Sequence, residues 1–101
     1  DNNWVLPSDG RSLVLAAEVE DPASGRTMQV LTNHRGMQFY TGNGLRTRTP
    51  GKEGAAYASR GGFCLETQFY PDAIHHPHFP SPVLRPGEEH RSTTVFRFGT
   101  R

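Results

Sequence analysis

The sequence predicts an all-β fold, and three features support that prediction. Apolar and polar residues alternate over short runs, which is the period of a strand rather than that of a helix. The 101-residue chain has 11 glycines and 8 prolines, more than the average share of about 12%, and these residues favour turns between short strands. Five of the prolines lie within residues 71–86, where their spacing excludes a regular helix. We therefore expect a half-sandwich with no helix longer than a turn.

Five segments have strand character, and the linkers between them have turn or loop chemistry. The first strand is followed by a turn at 21–25, where proline fixes φ and glycine can adopt a positive φ. The linker 42–60 is rich in glycine, threonine and charge, which indicates a mobile surface loop. The stretch 71–86 is expected to be an extended or disordered loop, because prolines interrupt sheet ladders. The predicted strands are 12–20, 27–32, 37–41, 63–69 and 91–98.

Charge and composition exclude several classes of protein. Lys and Arg number 11 against 10 Asp and Glu, and the net charge of +1 argues against a nucleic-acid partner. No apolar run approaches the roughly 20 residues that span a bilayer, and no secretory h-region is present. We therefore expect no membrane partner and a cytoplasmic location. A single cysteine, Cys64, excludes an internal disulfide.

The supply of core-forming residues is small for an independent domain. Leu, Ile, Val and Phe together number 20 of the 101 residues, close to the roughly 20% below which folding alone becomes doubtful. The chain also begins at Asp1 without a methionine. We expect a part of a larger protein, whose strands either expose apolar faces or pack against further chain.

One predicted strand carries a carboxylate between apolar positions. Alternation along 63–69 gives two faces. These are Phe63, Leu65 and Thr67 on one side and Cys64, Glu66 and Gln68 on the other. A glutamate in a strand is most often solvent-facing. The functional interpretation is a partly desolvated general base that works near neutral pH. Gln38 and Tyr40 also share a face and could bind a polyol, although ordinary sheet polarity explains them as well.

Two further clusters are expected to be solvated surface. They are His75, His76 and His78 in one loop and Arg46, Arg48 and Lys52 in another. Pro77 splits the histidines and no second group of ligands accompanies them, so we expect no metal site. Cys64 has no visible activating neighbour and is not expected to act as a nucleophile.

Four specific blocks follow one another along the chain. They are 36–43 (GMQFYTGN), 62–68 (GFCLETQ), 70–73 (YPDA) and 79–89 (FPSPVLRPGEE). In this order they closely resemble the C-terminal part of aldose 1-epimerases, the galactose mutarotases. The opening segment 1–4 (DNNW) is similar to the family's Asp-His-Asn-Phe segment, and 93–96 (TTVF) resembles its last strand. The resemblance spans nearly the whole chain.

The resemblance implies the C-terminal portion of a large antiparallel β-supersandwich. Residues 1–101 are then the C-terminal segment of a single domain whose N-terminal part is absent. The implied reaction interconverts the α and β anomers of galactose, glucose and related aldohexoses without a cofactor. The expected partners are the small-molecule sugar and the missing N-terminal part of the same fold.

The resemblance also assigns roles to three residues. Glu66 corresponds to the general base that takes the proton of the C1 hydroxyl, and Gln38 and Asp1 correspond to ligands of the sugar hydroxyls. The imidazole that protonates the ring oxygen lies upstream of Asp1 in the family, so we expect the 101 residues alone to be inactive. Asn2 stands where the family usually has histidine, and His75–His76 stand where it usually has Asn-Gln.

Two other functions remain open. A non-catalytic sugar-binding or sugar-sensing relative would hold a hexose with Gln38 and Asp1 and move no proton. A relative acting on a hexose 6-phosphate is compatible with the basic Arg46 and Arg48. The Cys-Leu-Glu-Thr-Gln and Pro-Asp-Ala blocks favour the galactose-mutarotase branch.

Overall fold

The structure, a computed structural model, describes all residues 1–101. Six strands form two three-stranded antiparallel sheets, so the predicted all-β class is confirmed. The helical segments are two short 3₁₀ turns, Lys52–Gly54 and Ala73–His75. The strands are β1 (Asn2–Val5), β2 (Val14–Glu20), β3 (Arg26–Thr32), β4 (Gly36–Tyr40), β5 (Cys64–Gln68) and β6 (Thr94–Thr100). No helix in the chain has the length and apolar character needed to cross a membrane.

The first sheet has the order β1-β4-β5 and the second has the order β2-β3-β6. In the second sheet, the β2–β3 hairpin closes at the expected turn. The Ser24 hydroxyl donates to Asp21 Oδ2 over 2.6 Å, and Gly25 adopts a φ of 71°, which favours glycine. That hydrogen bond from Ser24 lowers the pKa of Asp21 below its ordinary value of 3.8.

The two sheets face each other across a small core. Val30 on β3 and Met37 on β4 are buried, and Leu6 packs with them just after β1. Hydroxyl groups also link the sheets, because Thr67 Oγ1 on β5 lies 2.7 Å from Thr94 Oγ1 on β6. Only 7 of the 101 residues are buried. The limited supply of core-forming residues therefore yields a limited core.

Much of the apolar surface remains open to solvent. Trp4 is 60% exposed and Phe39 is 39% exposed. Together with Val19 and Leu65 they line an opening of about 460 Å³ between the sheets, which we call the apolar cleft. Phe98 on β6 is also exposed. Leaving such a side chain in water forgoes about 1.5–3 kcal/mol of burial free energy. The expectation that apolar strand faces are exposed is confirmed.

Strand β1 is not among the predicted strands, and the boundaries of the other five differ from the predictions by one to three residues. Strand β1 is not predicted by apolar alternation, because its first two residues are asparagines; it forms by pairing with β4, from Asn2 opposite Phe39 to Val5 opposite Gly36. Strand β6 begins at Thr94 rather than at residue 91, since the Thr93 amide donates to the Asn33 side chain instead of to a ladder partner.

The linker 42–60 is largely exposed, as predicted, and its ends are tied together. The Gly42 carbonyl accepts hydrogen bonds from the amides of Leu45 and Arg60. Arg60 Nε donates to Asn43 Oδ1 over 2.9 Å. The proline-rich stretch 71–86 contains one 3₁₀ turn and no strand, in agreement with its proline spacing.

Candidate functional site

One side of the first sheet is polar across all three of its strands. The register sets Asn3 of β1 opposite Gln38 of β4, and Gln38 opposite Glu66 of β5. Residues directly opposite each other project to the same side of a sheet, and alternation adds Asp1 and Gln68 to that side. We call these five residues the polar face. It brings together Asp1, Gln38 and Glu66, the three site residues predicted from the sequence.

Four residues of the polar face form a connected hydrogen-bond network. Gln38 Nε2 donates to Asp1 Oδ2 over 3.0 Å. Gln68 Nε2 lies 3.2 Å from Gln38 Oε1 and 3.2 Å from Asn3 Oδ1, and donates to both. The network therefore runs from Asn3 through Gln68 and Gln38 to the Asp1 carboxylate. Each strand of the first sheet, or the residue next to it, contributes at least one member.

Glu66 projects from the middle of β5 beside this network. Its side chain is exposed and forms no salt bridge within the chain. The partial desolvation expected for a general base is thus not provided by these 101 residues. The physical reason is that Glu66 and its neighbours on the polar face form a single layer of side chains. Nothing within the chain covers that layer.

Gly36 at the start of β4 allows the network to pack closely. It is buried, and a β-carbon at this position would lie 2.7 Å from Asn3 Oδ1 and 2.9 Å from Tyr70 Cδ1. Real β-carbons do not approach other atoms so closely, so a side chain at Gly36 would displace Asn3. The Asn3 amide therefore lies against bare backbone, where it can accept from Gln68.

The sequence pattern predicts no role for Asn3 and places Gln68 only on the same side of its strand as Glu66. Their partnership depends on which residues of β1, β4 and β5 stand opposite each other, and alternation within one strand does not contain that information. The shared face of Gln38 and Tyr40 is confirmed by the register. The Tyr40 hydroxyl accepts a hydrogen bond from the Gly44 amide over 2.8 Å, which anchors the following loop.

The histidine-rich loop is a separate, exposed cluster. Asp72 accepts from His75 Nδ1 at 2.5 Å and lies 3.3 Å from His76 Nε2. Rings of His76 and His78 pack around Phe79. No group of three or more His, Cys, Asp or Glu side chains in the chain has an arrangement that could hold a metal ion. The loop contributes no residue to the polar face.

A second histidine pair lies in a cleft of about 310 Å³ beyond the end of the first sheet. His34 packs edge-on against Phe69, with ring centroids 5.8 Å apart, and lies 6.1 Å from the His90 ring. Burial, with a smaller contribution from the charge of His90, lowers the pKa of His34 below its ordinary value of 6.5. The neutral form of His34 is therefore favoured in the folded chain.

The polar face and the sequence blocks around it can be compared with known proteins. The family model described as aldose 1-epimerase matches residues 1–97, a span that includes every residue of the polar face. The chain belongs to the aldose 1-epimerase family. The two-sheet antiparallel structure is consistent with a sandwich fold for a member of this family.

Relatives within this family have both mammalian and bacterial sources. Galactose mutarotase of Homo sapiens is 48% identical over 98 residues, and that of Bos taurus is 47% identical over 98 residues. Aldose 1-epimerase of Escherichia coli (strain K12) is 37% identical over 100 residues. Each match covers 97% of this chain. The chain spans 28% of the length of the two mammalian proteins and 29% of the bacterial one.

Proposed function

We propose that this chain is the C-terminal segment of an aldose 1-epimerase that interconverts the α and β anomers of aldohexoses such as galactose and glucose. The observation that carries the proposal is the convergence of Asp1, Gln38 and Glu66 on one polar face. Membership of the family and the names of the relatives support the same reaction class.

In the proposed reaction, two groups move protons and other groups hold the sugar. Glu66 takes the proton of the C1 hydroxyl while an acid protonates the ring oxygen, so that the C1–O5 bond breaks and a C1 carbonyl forms. Rotation about C1–C2 exposes the other face of the carbonyl, and the reverse transfers close the ring. Strand β5 carries Glu66 at an open position where a hydroxyl can approach its carboxylate.

Asp1 and Gln38 hold the sugar hydroxyls in this proposal. The Asp1 carboxylate accepts hydrogen bonds, and the Gln38 amide can both donate and accept them. Their mutual hydrogen bond fixes their relative orientation before a sugar arrives. A preorganised pair of this kind suits a polyol, whose adjacent hydroxyls also donate and accept.

The acid and the cover for Glu66 come from the remainder of the same domain in this proposal. Glu66 is exposed and the apolar cleft is open to solvent. We expect both surfaces to be covered by further residues of the same domain. Further chain over the apolar cleft would bury Phe39 and Trp4. On the opposite side of the first sheet, further chain over the polar face would exclude water from Glu66. The 101 residues by themselves are therefore expected to lack mutarotase activity.

Polarimetry of freshly dissolved α-D-galactose, with the full-length protein, tests the proposal. Glu66→Gln keeps the shape of the side chain and removes the base, so we expect the catalysed rate to fall by about 100-fold or more. Glu18→Gln is the matched control, because Glu18 is also an exposed mid-strand glutamate and its partner Gln29 can still donate to an amide. Undiminished mutarotation in Glu66→Gln would exclude Glu66 as the base. Sugar binding by wild type without any rate enhancement would instead indicate a non-catalytic sugar-binding relative.

A further inference from the structure

Gln68 lies at the centre of the polar-face network but has no role in the reaction as proposed above. Its Nε2 donates to Gln38 Oε1 and to Asn3 Oδ1, each over 3.2 Å. We infer that Gln68 is a positioning residue that sets the orientation of the Gln38 amide, and through it that of the Asp1 carboxylate. The inference rests on the proposed function at one point, namely that Gln38 and Asp1 bind the sugar.

The argument begins with the donors and acceptors of the two amides. A glutamine nitrogen carries two hydrogens, and those of Gln68 are both engaged. Because Gln38 Oε1 accepts one of them, Gln38 Nε2 is the atom that faces Asp1, at 3.0 Å. One hydrogen of Gln38 Nε2 then binds Asp1 and the other is left for a ligand.

The opposite orientation of the Gln38 amide is unfavourable for two reasons, and Gln68 is the source of the first. A flipped amide would direct its nitrogen at Gln68 Nε2, donor against donor. It would also direct its oxygen at the Asp1 carboxylate, acceptor against acceptor. Without Gln68 the first conflict disappears, and only the conflict with Asp1 still opposes rotation of the Gln38 amide about its broad terminal torsion. The donor to the Asp1 carboxylate is then held less firmly.

The position of Gln68 suits this role. Asn3, Gln38 and Gln68 are half-buried, whereas Asp1 and Glu66 are exposed. The network is therefore anchored at its inner end, where Asn3 lies against Gly36, and reaches solvent at the end proposed to bind sugar. Strands provide a more rigid support for such a site than loops do.

The diagnostic substitution is Gln68→Glu, which keeps the side-chain shape and removes both donors. The introduced carboxylate would draw the Gln38 nitrogen toward itself and present the Gln38 oxygen to Asp1. We expect the Kd for D-galactose to rise by about tenfold to 100-fold, the range for disrupting a hydrogen bond to a charged group. Gln68→Met, which has similar length but neither donor nor charge, is expected to raise it by about tenfold.

Thr67→Val is the matched control for general destabilisation. Thr67 is the neighbour of Gln68 on β5 but projects to the opposite side of the sheet, where its hydroxyl contacts Thr94 at 2.7 Å. We expect this variant to unfold at a lower temperature than wild type and to keep the wild-type Kd. If Gln68→Glu does not fold, the Kd of Gln68→Met for D-galactose tests the same inference.

A double-mutant cycle, measured by titration calorimetry of the full-length protein with D-galactose, tests whether Gln68 acts through Gln38. If it does, Gln68→Met changes the Kd by less than about twofold in a Gln38→Ala background. An equal effect in both backgrounds, or no effect in either, would overturn the inference. Absence of galactose binding by wild type would overturn the proposed function as well. Binding by wild type without this coupling would overturn the inference alone.

Discussion

The two sides of the first sheet come from the same three strands, yet they differ in how far the side chains find partners within the chain. On the polar side, the amides of Asn3, Gln38 and Gln68 bind one another. On the other side Met37 is buried, while Trp4 and Phe39 remain exposed. A hydrogen-bond network needs only neighbouring strands in the correct register, whereas burial needs a second layer large enough to cover the sheet.

Positioning and desolvation therefore have different sources in this protein. The first sheet alone orients Gln38 and Asp1 and carries Glu66. It does not remove Glu66 from water. In our proposal the remaining part of the domain does so, and further chain on the opposite side of the sheet would cover the apolar cleft.

The largest effect is expected on the apolar side. If a further layer covers the apolar cleft in the full-length protein, Phe39→Ala lowers the free energy of unfolding by about 3–5 kcal/mol, as for a buried phenylalanine. Met37→Ala is the reference, because Met37 is already buried in this chain, with only 4% of its surface exposed. This substitution is expected to lower the free energy of unfolding by about 2–5 kcal/mol. Urea denaturation measures both. A loss below about 1 kcal/mol for Phe39→Ala would show that the cleft stays open.

A smaller effect is expected on the polar side of the first sheet, at Gly36. Gly36→Ala places a methyl group against Asn3 Oδ1 and Tyr70, so it should cost about 1–3 kcal/mol of stability as an overpacked site. It should also weaken galactose binding, since Asn3 can no longer hold Gln68. Gly62→Ala is the control, because a β-carbon there meets nothing within 4 Å. Unchanged stability and affinity in Gly36→Ala would contradict the packing described for Asn3.

The smallest effect is expected at the end of the sheet, where pH acts on His34. The folded chain lowers the pKa of His34, so the unfolded chain binds the proton more readily. This contribution to stability is present above the unfolded pKa of about 6.5 and is lost as pH falls below it. His34→Gln should therefore reduce the loss of stability between pH 7 and pH 5, measured by denaturation at each pH. Identical pH dependence in wild type and His34→Gln would exclude this contribution.

The sequence predicts the parts of this structure that depend on local pattern. Alternation predicts β5 and the separation of Glu66 from Leu65, and turn chemistry predicts the hairpin around Gly25. Strand β1 is not predictable in this way, because its asparagines become a strand only by pairing with β4. The exposure of Glu66 also depends on what lies above the sheet, and a strand pattern contains no information about that layer.

The most direct test of the central claim is galactose binding by the full-length Glu66→Gln protein. If Asp1 and Gln38 bind the sugar and Glu66 transfers the proton, as proposed, Asp1 and Gln38 still hold the sugar when the base is removed. We expect a Kd within about threefold of wild type by calorimetry, a change below about 0.7 kcal/mol, together with loss of catalysed mutarotation. A protein that loses binding along with activity would contradict this division, and so would one that keeps both.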